Sequence, residues 1–357
     1  MNQGAIRRLL TLFLAIYLCF AVLVRISGAS PWFVSTLLLN GTWGTGYGIG
    51  QVLFKATPLL FAAVSFDVAK RAGLFNIGAE GQLAVGSIVA AVVATKLSWA
   101  PWPLAVPIAL LASAGAGSAF AALPAVLRVR FGAHEVITTL LSNRLADVLV
   151  GFLLASGVAL TGTVRTPDVA ASTLLPRLSK VLSFFHGSAA SVAFVLALAA
   201  AVCAPLYFRR TLAGREMALV GHGAEVCKVQ KIAVGKRTLQ AMLLSGAVAG
   251  LAASATVFGY KGYFEQGLGA GAGFTGIAVA MLGAGRPSLM ILSALLFGTL
   301  DQGGLAINGY VPREIMQILT ALTIGGVALA DAKPDVFGGA PTGPVSSAGA
   351  EKAGGAT

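Results

Sequence analysis

Asn76, Glu80 and Gln82 lie close together in Arg71-Ala-Gly-Leu-Phe-Asn-Ile-Gly-Ala-Glu-Gly-Gln82, a stretch flanked on both sides by apolar sequence. A carboxylate and two carboxamides supply acceptors and donors for a polar solute or for one another, and left unpaired in hydrocarbon each costs at least a few kcal/mol. Such groups therefore face a bundle interior or a watery cavity rather than lipid. The glycines among them let a helix break and restart, which presents the free N–H groups of a half-helix to a polar partner. The competing reading is that the three side chains only bond neighbouring helices together. A second polar set, Asn143, Arg144 and Asp147, also falls within apolar sequence. Arg144 and Asp147 are three apart, hence on one helix face, where they can neutralise each other.

Other patterns exclude chemistry. Gly271-Ala-Gly-Phe-Thr-Gly276 spells the dinucleotide-binding pattern, but it follows no predicted strand and opens an apolar segment, so it is not a dinucleotide site. Gly235-Lys236 is followed by Arg237 and lacks the upstream glycine of a Walker loop, which excludes nucleotide hydrolysis by that route. His134, His186 and His222 have no metal-ligand spacing, and the serines and acids form no recognisable catalytic set.

These residues have to be positioned by a membrane bundle. The chain is 57% hydrophobic and only 11% charged, with mean hydropathy +0.84, against roughly a quarter charged residues in soluble domains. The expected fold is an all-α, polytopic integral membrane protein, and 357 residues accommodate about ten transmembrane helices. The net charge of +12 does not point to nucleic acid, because the basic residues fall mostly between apolar runs, as topology signals do. Cys19, Cys203 and Cys227 form neither a disulfide framework nor a metal motif. Arg7 and Arg8 precede an apolar run that ends near a small-residue site, Ser27-Gly-Ala29, as in a signal peptide. The length of that run and the interrupting Arg25 favour an uncleaved first span.

Taken in order, the apolar runs predict spans at about 9–27, 49–69, 77–95, 104–124, 135–155, 188–208, 238–258, 268–285, 288–304 and 314–331. A broken or re-entrant segment follows the second span, and Pro58 predicts a kink within that span. The Trp- and Gly-rich segment from Ser30 to Gly48 reads as a helix hairpin or belt at the interface. Ala112, Gly115, Ala116 and Ala119 offer a small-residue packing face on the fourth span, and Gly246-Ala-Val-Ala-Gly250 offers another on the seventh. With the N-terminus in the cytoplasm, Lys and Arg outnumber those outside by roughly two to one on the inner loops. Residues 1–331 form the membrane domain, and the Gly-, Ala-, Pro- and Ser-rich tail 332–357 is expected to be disordered and cytoplasmic.

The basic loop from Arg209 to Arg237 contains a helix with apolar residues Ala218, Leu219, Ala224, Val226, Val229 and Ile232 among its charges. It suits either an anionic lipid surface or docking into a partner's groove.

Pro58-Leu-Leu60, Arg71 to Gln82, Phe131-Gly-Ala-His-Glu-Val-Ile-Thr138, Gly221 to Ile232 and Gly273-Phe-Thr-Gly-Ile-Ala-Val-Ala280 together resemble the membrane permease subunit of bacterial ABC importers. The chain is similar, over about residues 50–330, to the superfamily of ribose and branched-chain amino acid permeases. The wording of Gly73 to Gln82 is similar to the branch associated with nucleoside uptake and basic-membrane-protein lipoproteins. The resemblance implies a multi-pass permease of the bacterial plasma (inner) membrane, with both termini cytoplasmic, that passes a small polar solute inward. Nucleoside is expected first, simple sugar next and amino acid third. It also implies partners: an ATP-binding cassette ATPase, a second homologous permease, an extracytoplasmic solute-binding protein and membrane lipid, with no nucleic acid. No cofactor is expected on this chain, and ATP belongs to the partner ATPase.

The resemblance implies that Gly221 to Ile232 is the coupling helix that docks in the ATPase, so Gly221, Ala224, Glu225, Val226 and Ile232 are the expected coupling residues. The sequence departs from the family there, with Gly223-Ala224 where Asn-Pro is common and Lys231 where a Gly precedes the closing Ile. Asn76, Glu80, Gln82, Asn143 and Phe274 are expected to line the solute path, Phe274 stacking on a base or sugar and Glu80 serving structure and gating. The competing function is an ion-coupled secondary transporter using Glu80, Arg144 and Asp147 as a relay. A membrane-embedded enzyme is a third class, disfavoured by the absence of a catalytic cluster.

Overall fold

Apolar runs in lipid become helices because helices satisfy their own backbone groups. The computed structural model describes residues 3–223, 227, 229–269, 271–312 and 314–331. The tail from 332 onward and three expected coupling residues, Ala224, Glu225 and Val226, lie outside that set. The described helices are α1 (Gln3–Ile26), α2 (Pro31–Thr42), α3 (Gly46–Arg71), α4 (Ala79–Thr95), α5 (Trp102–Phe131) and α6 (Glu135–Leu153). They continue with α7 (Ala193–Arg210), α8 (Leu212–Gly221), α9 (Val234–Gly250), α10 (Ala272–Gly283), α11 (Pro287–Ile307) and α12 (Glu314–Asp331).

Among the described residues, six helical stretches are long and apolar enough to cross a membrane: Gly46–Arg71, Trp102–Phe131, Glu135–Val158, Ala193–Arg210, Val234–Lys261 and Pro287–Ile307. A seventh span arises if Leu14–Ile26 and Pro31–Thr42, bent by 113°, are counted as one. The expected ten are therefore not reached by length. Ala79–Thr95 and Ala272–Gly283 are short apolar helices because glycine-rich breaks consume the start of each predicted span.

The bundle is organised around α3, which runs as one helix through Pro58 and is almost wholly buried from Ala56 to Ala69. Lipid supplies no apolar drive to bring helices together, so close van der Waals packing has to do it. Gly276 of α10 lies against Ala62, and Gly298 of α11 lies against the Val52 carbonyl and Ala56. The glycine pair of α9 behaves as expected. Gly246 and Gly250 press on Gly117, Ala121 and Ser113 of α5, leaving no room for a Cβ. The packing face of α5 is therefore Ala109, Ser113, Gly117 and Ala121. Gly115 and Ala119, expected there, are exposed. Small residues ring α5 on several sides, and the position of α9 selects which of them are covered.

The connection between α6 and α7 is pinned by backbone bonds across one end of the bundle, including Thr166 N–H to Phe264 O at 2.9 Å and Val169 N–H to Gly262 O at 2.8 Å. Beyond α9 the helix widens into a π-turn, Ser254–Lys261, and a glycine-rich turn leads into α10.

Candidate functional site

Helix α3 ends where its last turn is clamped. Arg71 Nε donates to Asp67 Oδ2 at 2.7 Å, its Nη2 donates to the Gly285 carbonyl at 2.7 Å, and the guanidinium lies over the Phe208 ring. The chain then turns through Gly73 at φ +72°, a left-handed conformation that glycine adopts without strain. Residues 74–77 belong to no helix or strand, and α4 restarts at Ala79. The break expected after the second span is present, but it lies at residues 72–78 rather than at Asn76 to Gln82, so Glu80 and Gln82 sit in the first turn of α4.

Asn76 holds that break together. Its Nδ2 donates to Gln82 Oε1 at 2.9 Å and to Ser245 Oγ at 2.7 Å. Its Oδ1 accepts from the Gly78 N–H at 2.9 Å and from Gln82 Nε2 at 3.1 Å. Asn143 reaches the same turn from α6, donating to Ile77 O at 2.9 Å and accepting from the Gly81 N–H at 3.0 Å. Asn76 and Gln82 are 0% exposed and Asn143 is 5% exposed. Within this chain all three are turned into helix contacts, the arrangement buried amides need if they are not to be orphaned. Thr139 and Ser245 complete the set, Thr139 Oγ1 accepting from the Ile77 N–H at 3.3 Å. Sequence reasoning passed over both. The signals were the four-residue spacing of Thr139 and Asn143 on α6 and the place of Ser245 directly before Gly246.

Glu80 has a different role. Its two carboxylate oxygens accept from the backbone N–H groups of Gly271 and Gly273 at 2.6 and 2.7 Å. The glycines that spell a dinucleotide motif thus do bind an anion at a helix N-terminus, but the anion is the chain's own carboxylate. Gly273 packs so closely on the Glu80 backbone that a Cβ there would overlap it. Glu80 thereby fastens the start of α10 to the start of α4.

Around Glu80 the surface changes character. Gly81 packs on Ala146 and Asn143, and the exposed side of α6 carries Arg144 and Asp147, 87% and 61% exposed and paired at 3.4 Å. Ile137, Leu141, Val148 and Phe152 on α6 are exposed as well. Phe274, on the first turn of α10, is 47% exposed.

Gly221 is the last residue of α8 and lies on the turn after α3. A Cβ there would come 2.6 Å from the Arg71 carbonyl and 2.9 Å from the Gly73 nitrogen. Ile232 is half-buried, and its N–H donates to the carbonyl of buried Cys227 at 2.9 Å. Helix α8 is held to α9 by an ion pair between Glu216 and Arg237.

Residues 48–328 match the family described as branched-chain amino acid transport system / permease component. The chain is 33% identical over 313 residues to the guanosine ABC transporter permease protein NupP of Bacillus subtilis, covering 86% of this chain and 88% of that one. It is 28% identical over 320 residues to the nucleoside ABC transporter permease protein NupB of Lactococcus lactis, covering 88% of each. It is 33% identical over 289 residues to the glucose ABC transporter permease protein TsgB13 of Haloferax volcanii, covering 78% of this chain and 75% of that one.

Proposed function

The chain belongs to the family of branched-chain amino acid transport system permease components, and from that premise we propose that it carries nucleosides into a bacterial cell as the membrane subunit of an ATP-driven importer. The substrate assignment is supported by two relatives, one described as a guanosine and one as a nucleoside permease. The glucose permease makes simple sugar the second choice. Hydrolysis occurs on a separate ATP-binding cassette subunit, which holds the ATP. A second homologous permease and an extracytoplasmic binding protein complete the assembly in the plasma membrane, with both termini of this chain in the cytoplasm.

The observation that carries the reading is the exposed Arg144–Asp147 pair on a helix of membrane-spanning length. A charged side chain at the centre of a bilayer costs about 2.5–3.5 kcal/mol on insertion scales, so this face is covered by protein or water. A second permease set against α6 supplies that cover and encloses a passage faced by Glu80, Asp147 and Phe274. Asn76, Gln82 and Asn143 support the passage by holding its wall rigid. The ring of Phe274 stacks on the solute, and binding there is weak, since alternating access requires release. Gly221 and the following loop carry the ATPase stroke to the Arg71–Gly73 turn through the contact between Gly221 and Gly73.

The test is uptake of tritiated guanosine into proteoliposomes containing the full assembly. ATP-dependent accumulation that disappears when the ATPase subunit is left out supports the proposal. Accumulation by this chain alone under an ion gradient overturns it in favour of secondary transport.

A further inference from the structure

A cavity of about 950 Å³ opens between α3, α11 and α12 at the end of the bundle opposite Arg71. That is within the roughly 300–1,000 Å³ typical of small-molecule sites. Gly271, whose N–H is held by Glu80, also lines the cavity.

Its lining is unusual for the interior of a membrane bundle. Tyr47, Gln51, Phe54 and Lys55 of α3 recur at helical spacing and share one face. Lys55 Nζ pairs with Asp301 Oδ2 of α11 at 2.9 Å. The cavity therefore holds a cation and an anion with no excess charge. The Phe54 ring lies against Tyr260, centroids 4.7 Å apart and planes inclined by 50°. Gln51, half-buried, and Gln317, exposed, also line the cavity. Lys55 and Asp301 keep 30% and 52% of their side-chain surface exposed, so the cavity is open and its polar groups are free to meet a polar ligand.

We propose that this cavity is a second solute site, contained within one permease chain, for a neutral molecule that combines a flat ring with hydroxyl groups. Resting on the functional reading above, that molecule is a nucleoside. The rings of Phe54 and Tyr260 pack on the base, and Lys55 and Asp301 bond the sugar hydroxyls as donor and acceptor. The amides of Gln51 and Gln317 read the base edge. A phosphorylated nucleoside is rejected, because Lys55 is already neutralised and Asp301 repels the phosphate. A lipid chain finds too many polar groups to desolvate.

The experiment uses the complete assembly in lipid nanodiscs. Tritiated guanosine binding is measured by scintillation proximity for wild type, Phe54→Leu and Asp301→Asn. Each substitution is expected to weaken binding about tenfold, the scale of one lost stacking or charge-assisted contact. In parallel, Gln317→Cys in a chain whose three native cysteines are alanine is labelled with a maleimide. Guanosine is expected to slow the labelling and guanosine monophosphate to leave it unchanged. If wild type takes up guanosine but both variants bind it normally and Gln317→Cys is not protected, the cavity is not a solute site while the importer reading stands. If wild type takes up no nucleoside at all, the functional reading fails, and this proposal with it. A co-purified phospholipid seen by native mass spectrometry, undisplaced by guanosine, also overturns the proposal.

Discussion

Replacing Asn76 by Ala separates the two roles this residue could have. Asn76 makes four hydrogen bonds, two through Nδ2 and two through Oδ1, in a site with no exposure. Ser245 keeps a partner after the change, because its hydroxyl also donates to the Ser65 carbonyl at 2.8 Å. The Gly78 N–H and both polar atoms of the Gln82 amide are left without Asn76. Each unpaired buried group costs about 1–3 kcal/mol, and a water entering the vacated space holds the total near the lower end, about 3–5 kcal/mol. At about 2–4 °C per kcal/mol, the value for domains of about 150–250 residues, the midpoint of thermal unfolding in detergent falls by about 6–20 °C. The assay is a fluorescence unfolding scan of the purified permease, with guanosine uptake measured on whatever folded protein remains. The structural role predicts a large loss of midpoint with an unchanged KM in the surviving fraction. An unchanged midpoint with a raised KM would refute the argument and return Asn76 to the solute path.

Glu80→Gln keeps the shape but loses the charge, and its amide can accept from only one of the two glycine N–H groups. The fastening of α10 is expected to weaken by about 1.5–3 kcal/mol, slowing ATP-driven uptake with no new dependence on a pH gradient. Uptake that in wild type requires a proton gradient, and in Glu80→Gln does not occur, would assign Glu80 to proton transfer instead. Phe274→Ala is expected to slow uptake severalfold with normal amounts of protein in the membrane, and a wild-type rate removes Phe274 from the passage. Gly221→Leu forces a side chain against the Arg71 carbonyl, 2.6 Å from the new Cβ. It is expected to cost about 1–3 kcal/mol at that junction and to uncouple ATP hydrolysis from uptake. Gly115→Leu, at a position with nothing within 4 Å, serves as the silent control, and equal coupling in the two variants would dismiss the junction.

Much of the local order was legible in the residues. Gly73, Asn76 and Gly78 announce a break after α3. Gly246 and Gly250 announce a close crossing, and the three-residue spacing of Arg144 and Asp147 announces their pairing. The span count was less legible, because hydropathy does not register where a glycine-rich turn shortens a helix, as it does before α4 and α10. The choice among small residues on α5 was not legible either, since Gly115 and Gly117 look alike until α9 is in place.

By itself the sequence determined a helical membrane bundle, a polar interruption within Arg71 to Gln82 and the family to which the motifs point. Only the tertiary structure decided that Asn143 faces inward while its neighbour Arg144 faces outward. It alone decided that Glu80 is held by amides 191 and 193 residues away, and that Lys55 meets Asp301. The reason is physical. Spacing along a helix fixes which side chains share a face, whereas the direction that face takes, and the partner it meets, follow from how closely the other helices can approach it.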